Sequence, residues 1–370
     1  MNWPLEFAVL VAIGTSMAGT FLARGAALRF HWLDQPSHRK LHADPIPLLG
    51  GIAMYLAFVI SVLIANSQTV LKEGAAVLIG ATLLLVVGVI DDRRGLSPLT
   101  KLLAQATAAI LLVIGGTGVE FLPFTWLNLA ATILWVAAIC NAINLLDNMD
   151  GLSAGVAAIA CAFFTLLALW HGQIWVSIVA AVLLGATLGF LRFNWNPATI
   201  FMGDAGSLLL GFLLAVLAIK VRFPNVDQQR TWPIPLLVLA VPIFDTTLVI
   251  ISRLRRGVPI SSGGRDHVSH RLVRLGLSVR QAVGTIYLVA ALCGAAAVSL
   301  LVLPTPIYGY ALVALIGLIG LLGVVLLERS DLSDTGQVAR SHRQFRTAEF
   351  KRRGHGVMPP VGHEKTGPVG

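Results

Sequence analysis

Long apolar runs separated by short polar connections dominate this chain. Each run is about long enough to cross the roughly 30 Å hydrocarbon core of a bilayer as an α-helix. The runs lie near residues 5–22, 50–65, 74–90, 101–115, 127–145, 153–170, 174–191, 205–220, 233–251, 281–302 and 306–327. The pattern therefore predicts an all-α polytopic membrane protein with about eleven transmembrane helices.

The composition agrees with a membrane protein and argues against an ordinary soluble domain. Hydrophobic residues make up 56% of the chain and charged residues 12%, with a mean hydropathy of +0.81. The first run has no basic residue before it and no convincing cleavage site, which favours a retained helix over a signal peptide. Cys140, Cys161 and Cys293 lie within apolar runs, which indicates core packing rather than disulfides or metal ligands.

The basic residues predict the orientation of the chain in the membrane. If the first helix runs from outside to inside, all but four of the 27 Lys and Arg lie on the inner side. Because cytoplasmic loops carry an excess of Lys and Arg, the N-terminus is expected outside and the C-terminus in the cytoplasm. This topology accounts for most of the +9 net charge without nucleic acid as a partner.

Two regions differ in what they can fold into. Residues 1–328 are expected to form a membrane-embedded domain whose active-site loops open to the cytoplasm. Residues 329–370 are polar, basic and rich in glycine, with few apolar residues to bury. A disordered cytoplasmic tail is therefore expected there.

The most informative polar stretch closes the fifth apolar run. It contains Asn141, Asn144, Asp147, Asn148, Asp150 and Gly151. A charge left in lipid costs roughly 2.5 to 3.5 kcal/mol, so such side chains need partners. The spacing by threes keeps the first members on one helix face, and the helix is expected to end near Asp147. The following turn would bring Asp150 back towards the same point. An ordinary polar helix end at the membrane surface is the alternative.

Other acidic residues mark the ends of apolar runs. Asp91 and Asp92 follow the third run, and adjacent carboxylates repel unless a cation lies beside them. A divalent cation held by oxygen atoms would relieve this repulsion, as would simple neutralisation by Arg93 and Arg94. Asp204 lies at the start of an apolar run, between Gly203 and Gly206. A carboxylate at this position either belongs to a ligand site or caps the N-terminus of the helix.

Further polar side chains occur later in the chain. Asp245 lies inside an apolar run and must face the bundle interior, for a site or for helix contacts. The longest predicted inner loop carries His267, His270 and Arg271, which suit the binding of phosphate groups. A basic loop that only sets the topology would have a similar composition. Phe201 either stacks on a nucleotide base or is an aromatic residue of the membrane interface.

The predicted topology places these clusters on the same side of the membrane. Carboxylates that converge in a membrane cleft would repel by about 4 kcal/mol per pair at about 4 Å and an effective dielectric near 20. A bound Mg²⁺ would relieve that repulsion and polarise a phosphoryl oxygen. The pattern therefore favours a magnesium-dependent site for phosphate chemistry.

Four motifs resemble the polyprenyl-phosphate N-acetylhexosamine-1-phosphate transferases, a superfamily of the glycosyltransferase family 4 type. The motifs are Asp91-Asp92 with Lys101, Asn141-x-x-Asn144-x-x-Asp147-x-x-Asp150-Gly151, Phe201-Met202-Gly203-Asp204-x-Gly206-Ser207, and His267-x-x-His270-Arg271-Leu272. They occur in the family's order between about residues 34 and 275. The resemblance implies Mg²⁺-dependent transfer of a sugar 1-phosphate, with GlcNAc the commonest sugar, from a UDP-sugar to undecaprenyl or decaprenyl phosphate. UMP is released, and the product starts a cell-envelope polysaccharide such as lipopolysaccharide or teichoic acid.

The resemblance also implies roles for individual residues. Catalytic roles fall to Asp91, Asp92, Asp147 and His267. Substrate-binding roles fall to Lys101, Asn141, Asn144, Asp150, Phe201, His270 and Arg271. Metal ligands would be Asp204, Asp92 and Asn144, with Mn²⁺ as an alternative to Mg²⁺. The implied partners are a UDP-N-acetylhexosamine, polyprenyl phosphate and the lipid bilayer of a bacterial plasma membrane, and the site would face the cytoplasm. A homodimer is left open.

Two positions depart from the family pattern. Ser269 stands where the initiating branch commonly has a histidine, and Asn148 stands where glycine usually follows the aspartate. The alternative within the family is phospho-N-acetylmuramoyl-pentapeptide transferase, whose branch carries a run of adjacent histidines that this chain lacks. A secondary transporter of an anionic solute is the alternative from another class. Transporters typically show internal repeats and polar residues near the midplane, whereas no repeat is found here and most acids lie at the inner boundary.

Overall fold

The computed structural model describes residues 5–35, 44–224, 226, 228–262, 264–303 and 305–328, and the side chains of 66–73 and 228–229 are outside that description. The chain is an all-α, multi-pass membrane protein, as the hydrophobic pattern predicts. It divides into two units, Met1–Gly320 and Leu321–Gly370. In the second unit the description covers only the helical residues 321–328, so the expected disorder of the tail stays a prediction.

Helices form nearly all of the described structure. They are α1 (Leu5–Arg29), α2 (Gly50–Ala65), α3 (Gly74–Arg94), α4 (Pro98–Ile114), α5 (Thr125–Leu146), α6 (Leu152–Trp170), α7 (Ile174–Asn194), α8 (Gly203–Lys220), α9 (Gln228–Thr231), α10 (Pro233–Val238), α11 (Ala240–Arg255), α12 (Val268–Arg274), α13 (Val279–Val302) and α14 (Pro306–Glu328). Two short strands, β1 (Leu33–Asp34) and β2 (Ile46–Pro47), pair antiparallel in the loop after α1. The hydrophobic pattern did not predict this pair.

Eight of the described helices are long and apolar enough to cross a membrane. They are α1, α3, α5, α6, α7, α8, α13 and α14. The helices α2 and α4 are apolar but shorter. Large hydrophobic side chains such as Leu10, Leu134 and Leu292 are exposed, as expected for surfaces that face lipid. The total of eleven spans and their orientation stay predictions.

One predicted span is divided in two. The apolar run near 233–251 forms α10 and α11, which meet at Leu239. Pro242 lies in the first turn of α11, and its nitrogen has no hydrogen to donate to the carbonyl of Val238. The expectation of a single helix was wrong here because the proline interrupts backbone hydrogen bonding without changing the hydrophobic pattern.

The helix α8 lies at the centre of the bundle. Every residue from Ala205 to Ile219 is buried, and α8 packs against α5 and against the helical stretch Gly50–Arg94 that contains α2 and α3. The Tyr55 hydroxyl contacts the Thr82 hydroxyl at 2.5 Å, so α2 and α3 lie side by side. A buried central helix explains why its polar N-terminus must find partners on its neighbours.

Glycines let α2 and α3 approach the N-terminal turn of α8. A Cβ added at Gly51 would lie 2.2 Å from the Gly206 nitrogen, and one at Gly88 would lie 2.4 Å from the Ala205 Cα. Both obstructing atoms belong to the backbone, which cannot move aside as a flexible side chain can. These close contacts bring the end of α3 next to the start of α8, where the acidic residues lie.

Candidate active site

A lysine joins two acidic residues at one end of the bundle. Lys101 in α4 places its Nζ atom 2.7 Å from Asp91 Oδ2 and 2.9 Å from Asp204 Oδ2. Asp91 lies in the last turn of α3 and Asp204 in the first turn of α8. Three helices therefore contribute one ion-paired cluster. Among the described residues, neither Arg93 nor Arg94 pairs with these acids, so the neutralising role belongs to Lys101.

Asp92 binds the backbone at the N-terminus of α8. Its Oδ1 accepts a hydrogen bond from the Asp204 nitrogen at 2.7 Å, and its Oδ2 accepts one from the Ala205 nitrogen at 3.2 Å. A carboxylate here satisfies donors that the helix leaves free and lies at the positive end of the helix dipole. Gly203 has φ of +69°, and a Cβ there would lie 2.4 Å from Asp92 Oδ2. Glycine is therefore required where Asp92 approaches.

Asn144 connects α5 to the same cluster. Its Nδ2 atom donates to Asp204 Oδ1 at 2.9 Å and to Ser207 Oγ at 2.8 Å. Both oxygens of Asp204 are therefore held, one by Asn144 and the other by Lys101. Ser207 was not among the predicted site residues. Its position three residues after Asp204 on a helix could have indicated the shared face.

Asn141 lies one turn before Asn144 and has a different environment. Its Nδ2 atom donates to Gln105 Oε1 at 2.8 Å and to the Ala137 carbonyl. Gln105 is fully buried in α4. Asn141 thus joins α5 to α4 inside the bundle, and the hydrogen bonds place its side chain in helix packing rather than beside Asp204.

The two aspartates of the turn after α5, Asp147 and Asp150, have different surroundings. Asp150 Oδ2 accepts hydrogen bonds from Asn196 Nδ2 at 2.9 Å and from the Ala198 nitrogen at 3.0 Å. Asp150 therefore bonds to the loop between α7 and α8. By contrast, no side chain or backbone group of the described residues donates a hydrogen bond to the Asp147 carboxylate.

The Asp147 carboxyl lies in a negatively charged environment. Burial, together with the charges of Asp204, Asp92 and Asp150, raises the pKa of Asp147 to about 8. A carboxyl with this pKa is mostly protonated at pH 7 unless a cation or a donor from a substrate stabilises its charged form. Asp147 is therefore the acidic side chain of the cluster that has most to gain from a bound ligand.

Phe201 is held by its backbone between two elements. Its nitrogen donates to the Pro47 carbonyl of β2 at 2.8 Å, and its carbonyl accepts from the Gly50 nitrogen at 3.1 Å. Its side chain is partly buried. The backbone of Phe201 therefore holds the start of α2 next to the turn that carries Asp204.

A second group of residues surrounds the histidines of the loop between α11 and α13. His267 Nδ1 lies 2.7 Å from Asp245 Oδ2, and the Val268 nitrogen donates to Asp245 Oδ1 at 2.7 Å. Asp245 is almost fully buried in α11. A carboxylate at Nδ1 favours the tautomer that carries hydrogen on that atom and leaves Nε2 for another partner. Asp245 thus orients His267 and accepts a hydrogen bond from the first backbone nitrogen of α12.

His270 and Arg271 have more enclosed positions. Burial and neighbouring positive charges lower the pKa of His270 to about 4, so this imidazole is neutral at pH 7. The Arg271 guanidinium is buried and donates to the Asp266 carbonyl at 2.8 Å and to Ser252 Oγ at 2.9 Å. These bonds join α12 to α11, so Arg271 supports the loop from within.

Asp266 also has a structural position in this loop. Its carboxylate pairs with Arg256 at 2.7 Å and with Arg253 at 3.2 Å. Burial acts to raise the pKa of Asp266, but hydrogen bonds from Arg256 and Arg253 outweigh burial and hold that pKa below its usual range. Arg253 and Arg256 therefore neutralise a buried acid. The sequence-based hypothesis of a phosphate site in this loop did not predict this role.

The donor set of the acidic cluster is suitable for Mg²⁺. The carboxylates of Asp91 and Asp204 contact the Lys101 ammonium group, and those of Asp92 and Asp204 lie close enough to act on Asp147. Mg²⁺ prefers oxygen ligands of this kind. Within the described ranges, no three His, Cys, Asp or Glu side chains form a complete metal cage. Mg²⁺ is commonly held by one or two carboxylates plus water and substrate phosphates, so the residues fit the ion.

Comparison with known proteins places this cluster in a family. A family model described as glycosyl transferase family 4 matches residues 75–222, which include the acidic cluster but not the histidine loop. A protein of Bacillus subtilis named "Probable undecaprenyl-phosphate N-acetylglucosaminyl 1-phosphate transferase" is 37% identical over 76% of this chain and 81% of its own length. The chain belongs to glycosyl transferase family 4.

Two further relatives extend the comparison across this family. Decaprenyl-phosphate N-acetylglucosaminephosphotransferase of Mycolicibacterium smegmatis is 35% identical over 77% of this chain and 80% of its own length. Undecaprenyl-phosphate alpha-N-acetylglucosaminyl 1-phosphate transferase of Yersinia pestis is 30% identical over 75% of this chain and 79% of its own length. As a family member, the chain is a membrane-embedded transferase, which confirms the resemblance that the four motifs indicate.

Proposed function

We propose that this transferase moves GlcNAc 1-phosphate from UDP-GlcNAc to a polyprenyl phosphate and releases UMP. The names of the relatives support the sugar phosphate and the lipid acceptor. The observation that carries the proposal is the ion-paired cluster in which Lys101 joins Asp91 to Asp204 while Asn144 holds the other oxygen of Asp204. Acidic groups and one cation at a helix N-terminus suit the binding of phosphates with a divalent ion.

In the proposed reaction the sugar 1-phosphate exchanges its diphosphate link to UMP for a diphosphate link to the lipid phosphate. An oxygen of the lipid phosphate attacks the phosphorus that carries the sugar, and the bond from that phosphorus to the UMP oxygen breaks. The lipid becomes a sugar-bearing diphosphate, and UMP leaves with the bond electrons. Because the attacking oxygen is already an anion at neutral pH, alignment and charge screening matter more than a base.

The residues of the cluster would divide this work between them. Lys101 would donate its third N–H to a phosphate oxygen while it stays paired with Asp91, and Asp92 fixes the backbone of the Asp204 turn. Asp204, Asn144 and Asp147 would hold Mg²⁺ together with substrate oxygens. When bound, Mg²⁺ supplies charge neutralisation for the diphosphate. Asp91 would keep Lys101 in position, which makes a role as obligatory base unnecessary.

We also propose that the site faces the cytoplasm of a bacterial plasma membrane. The acidic cluster, the turn after α5 and the histidine loop share one end of the bundle, and most Lys and Arg of the described residues lie at that end. The predicted excess of basic residues on the cytoplasmic side supports this orientation. A soluble UDP-sugar and a lipid phosphate could then meet at the membrane boundary.

Release of UMP by the purified protein tests this function. With UDP-GlcNAc, undecaprenyl phosphate and Mg²⁺, the protein should form UMP and a lipid-linked GlcNAc product in equal amounts. A panel of other UDP-sugars, including UDP-N-acetylmuramoyl-pentapeptide, identifies the preferred donor. Flux of an anionic solute through proteoliposomes, without UMP from any donor, would contradict a transferase and favour a transporter.

A further inference from the structure

One buried hydrogen bond connects the histidine loop to the acidic turn after α5. The Ser269 hydroxyl donates to Asn148 Oδ1 at 2.5 Å. Ser269 lies in the first turn of α12 and is 1% exposed. Asn148 immediately follows Asp147, whose carboxylate has no donor among the described residues. The bond therefore joins the segment that carries His267 and His270 to the segment that carries Asp147.

The Asn148 carboxamide is fixed in one orientation. Its Nδ2 atom donates to the Leu145 carbonyl at 2.8 Å, so its Oδ1 atom must face away from α5 and towards Ser269. Among the described non-glycine residues, positive φ occurs only at His31 and Leu49. The backbone at position 148 therefore does not require glycine or asparagine, and the two side-chain hydrogen bonds account for the asparagine.

Other hydrogen bonds attach α12 to the helix α11. Asp245 of α11 holds His267 and the Val268 nitrogen, and Ser252 of α11 accepts from Arg271. These hydrogen bonds position α12 on α11. The Ser269 bond reaches across to α5, so it contributes to the distance between the histidines and Asp147.

Apolar packing supports both sides of this bond. Leu146, Met149 and Leu152 form a buried cluster with residues of α6, α11 and α13, and Val268 and Leu272 of α12 pack against it. This cluster does not depend on the hydroxyl of Ser269. Loss of the bond should therefore loosen the register of α12 without unfolding the bundle.

We propose that Ser269 and Asn148 are positioning residues for the transfer reaction. Their hydrogen bond sets the position of His267 and His270 relative to Asp147, so that both segments reach the same diphosphate. Neither residue needs to touch the substrate for this purpose. The inference rests on the proposed function, because it assigns a task to residues within the same reaction.

Steady-state kinetics of matched variants test this inference. Ser269→Ala and Asn148→Ala should each lower kcat for UMP release by roughly 10- to 100-fold, because small displacements of reacting groups have effects of this size. The double variant should be no slower than the slower single variant, since both changes remove one shared bond. Ser269→Thr keeps the hydroxyl and should recover most of kcat.

Controls separate positioning from a general loss of structure. Ser262→Ala removes a hydroxyl of the same loop that, among the described residues, donates to the Pro259 carbonyl alone, and it should leave kcat unchanged. Hydrogen exchange measured by mass spectrometry should increase over residues 266–274 in Ser269→Ala and not in Ser262→Ala. The melting temperature should change little in either variant.

The outcomes distinguish this inference from the proposed function. A wild-type protein that releases no UMP contradicts the proposed function itself. If the wild type is active, an unchanged kcat in Ser269→Ala and Asn148→Ala overturns the positioning role, whether or not hydrogen exchange increases. Additive losses in the double variant would also overturn it, because they would show two independent effects.

Discussion

At the scale of single residues, Asp204 is the most highly connected acid of the cluster. Its two carboxylate oxygens accept from Asn144 and Lys101, and its own nitrogen donates to Asp92. Such a group orients its neighbours and faces repulsion from other acids at the same time. Activity and stability should therefore respond differently when its charge is removed.

We predict that Asp204→Asn lowers the rate of UMP release by roughly 100-fold or more, the usual cost of losing a key electrostatic group in an active site. Its melting temperature should change little, because relief of the repulsion from Asp91 and Asp92 offsets the loss of one hydrogen bond from Asn144 or Lys101. Thermal unfolding in detergent measures this second effect. Glu120→Gln is the matched control, since Glu120 is exposed and pairs with Arg222 elsewhere. Equal rates in the two variants would contradict the role of Asp204.

Asp245 leads to a second prediction at this scale. In Asp245→Asn an NH₂ group can face His267 Nδ1, which favours the opposite imidazole tautomer. We expect kcat for UMP release to fall by roughly 10- to 100-fold, in line with the loss of other orienting partners. Thr247→Val on the same helix is the control, because within the described part of the chain the Thr247 hydroxyl bonds only to the Ile243 carbonyl of its own helix. An active Asp245→Asn would show that the tautomer of His267 does not matter.

The sequence predicted many of these residues but not their partners. Asp91, Asp204 and Asn144 could be named because charged and amide groups at the ends of apolar runs need an explanation, whereas Lys101 was named only through the family resemblance. That Asp92 binds the α8 backbone, or that Asn141 pairs with Gln105, depends on how helices pack. The roles implied for the site residues in catalysis and binding remain predictions.

At the scale of secondary structure, glycine contacts position the acidic residues. Gly88 lies one turn before Asp91 and allows α3 to approach the backbone of Ala205. Its occurrence inside an apolar helix gave no sign of this contact, because a glycine in a span can also face lipid. The structure therefore supplies what the hydrophobic pattern lacked, namely which helix each glycine faces.

Gly88→Ala should destabilise the protein and lower its activity. The new Cβ would lie 2.4 Å from the Ala205 Cα, so α3 and α8 must separate, at a cost of about 1 to 3 kcal/mol for overpacking. Thermal unfolding and UMP release measure the two effects. Gly14→Ala is the control, because a Cβ at Gly14 meets no atom within 4 Å. Similar melting temperatures for the two variants would contradict the close α3–α8 contact.

Elements were predicted well where hydrophobicity alone decides. All eleven apolar runs are helical, and α5 ends at Leu146, as the change of pattern near Asp147 indicated. The break at Leu239 and the pairing of β1 with β2 were not predicted. Both depend on backbone hydrogen bonds, which the apolar pattern does not record.

At the scale of the whole molecule, the predicted orientation can be tested directly. After replacement of the three native cysteines by alanine, Ser261→Cys should react with a membrane-impermeant thiol reagent only in permeabilised cells. Glu120→Cys, in an exposed connection at the opposite end of the bundle, should react in intact cells. The reverse labelling pattern would place the acidic cluster on the outer face and contradict the proposed topology.

The central claim is that the carboxylates of Asp147, after α5, and Asp204, in α8, meet at one divalent cation site. Binding of Mn²⁺ measured by electron paramagnetic resonance, in the presence of UDP-GlcNAc, tests this claim without relying on turnover. The wild type and Glu120→Gln should bind one ion with equal affinity, whereas Asp147→Asn and Asp204→Asn should each weaken binding by roughly tenfold or more. Wild-type affinity in both Asp147→Asn and Asp204→Asn would contradict the claim.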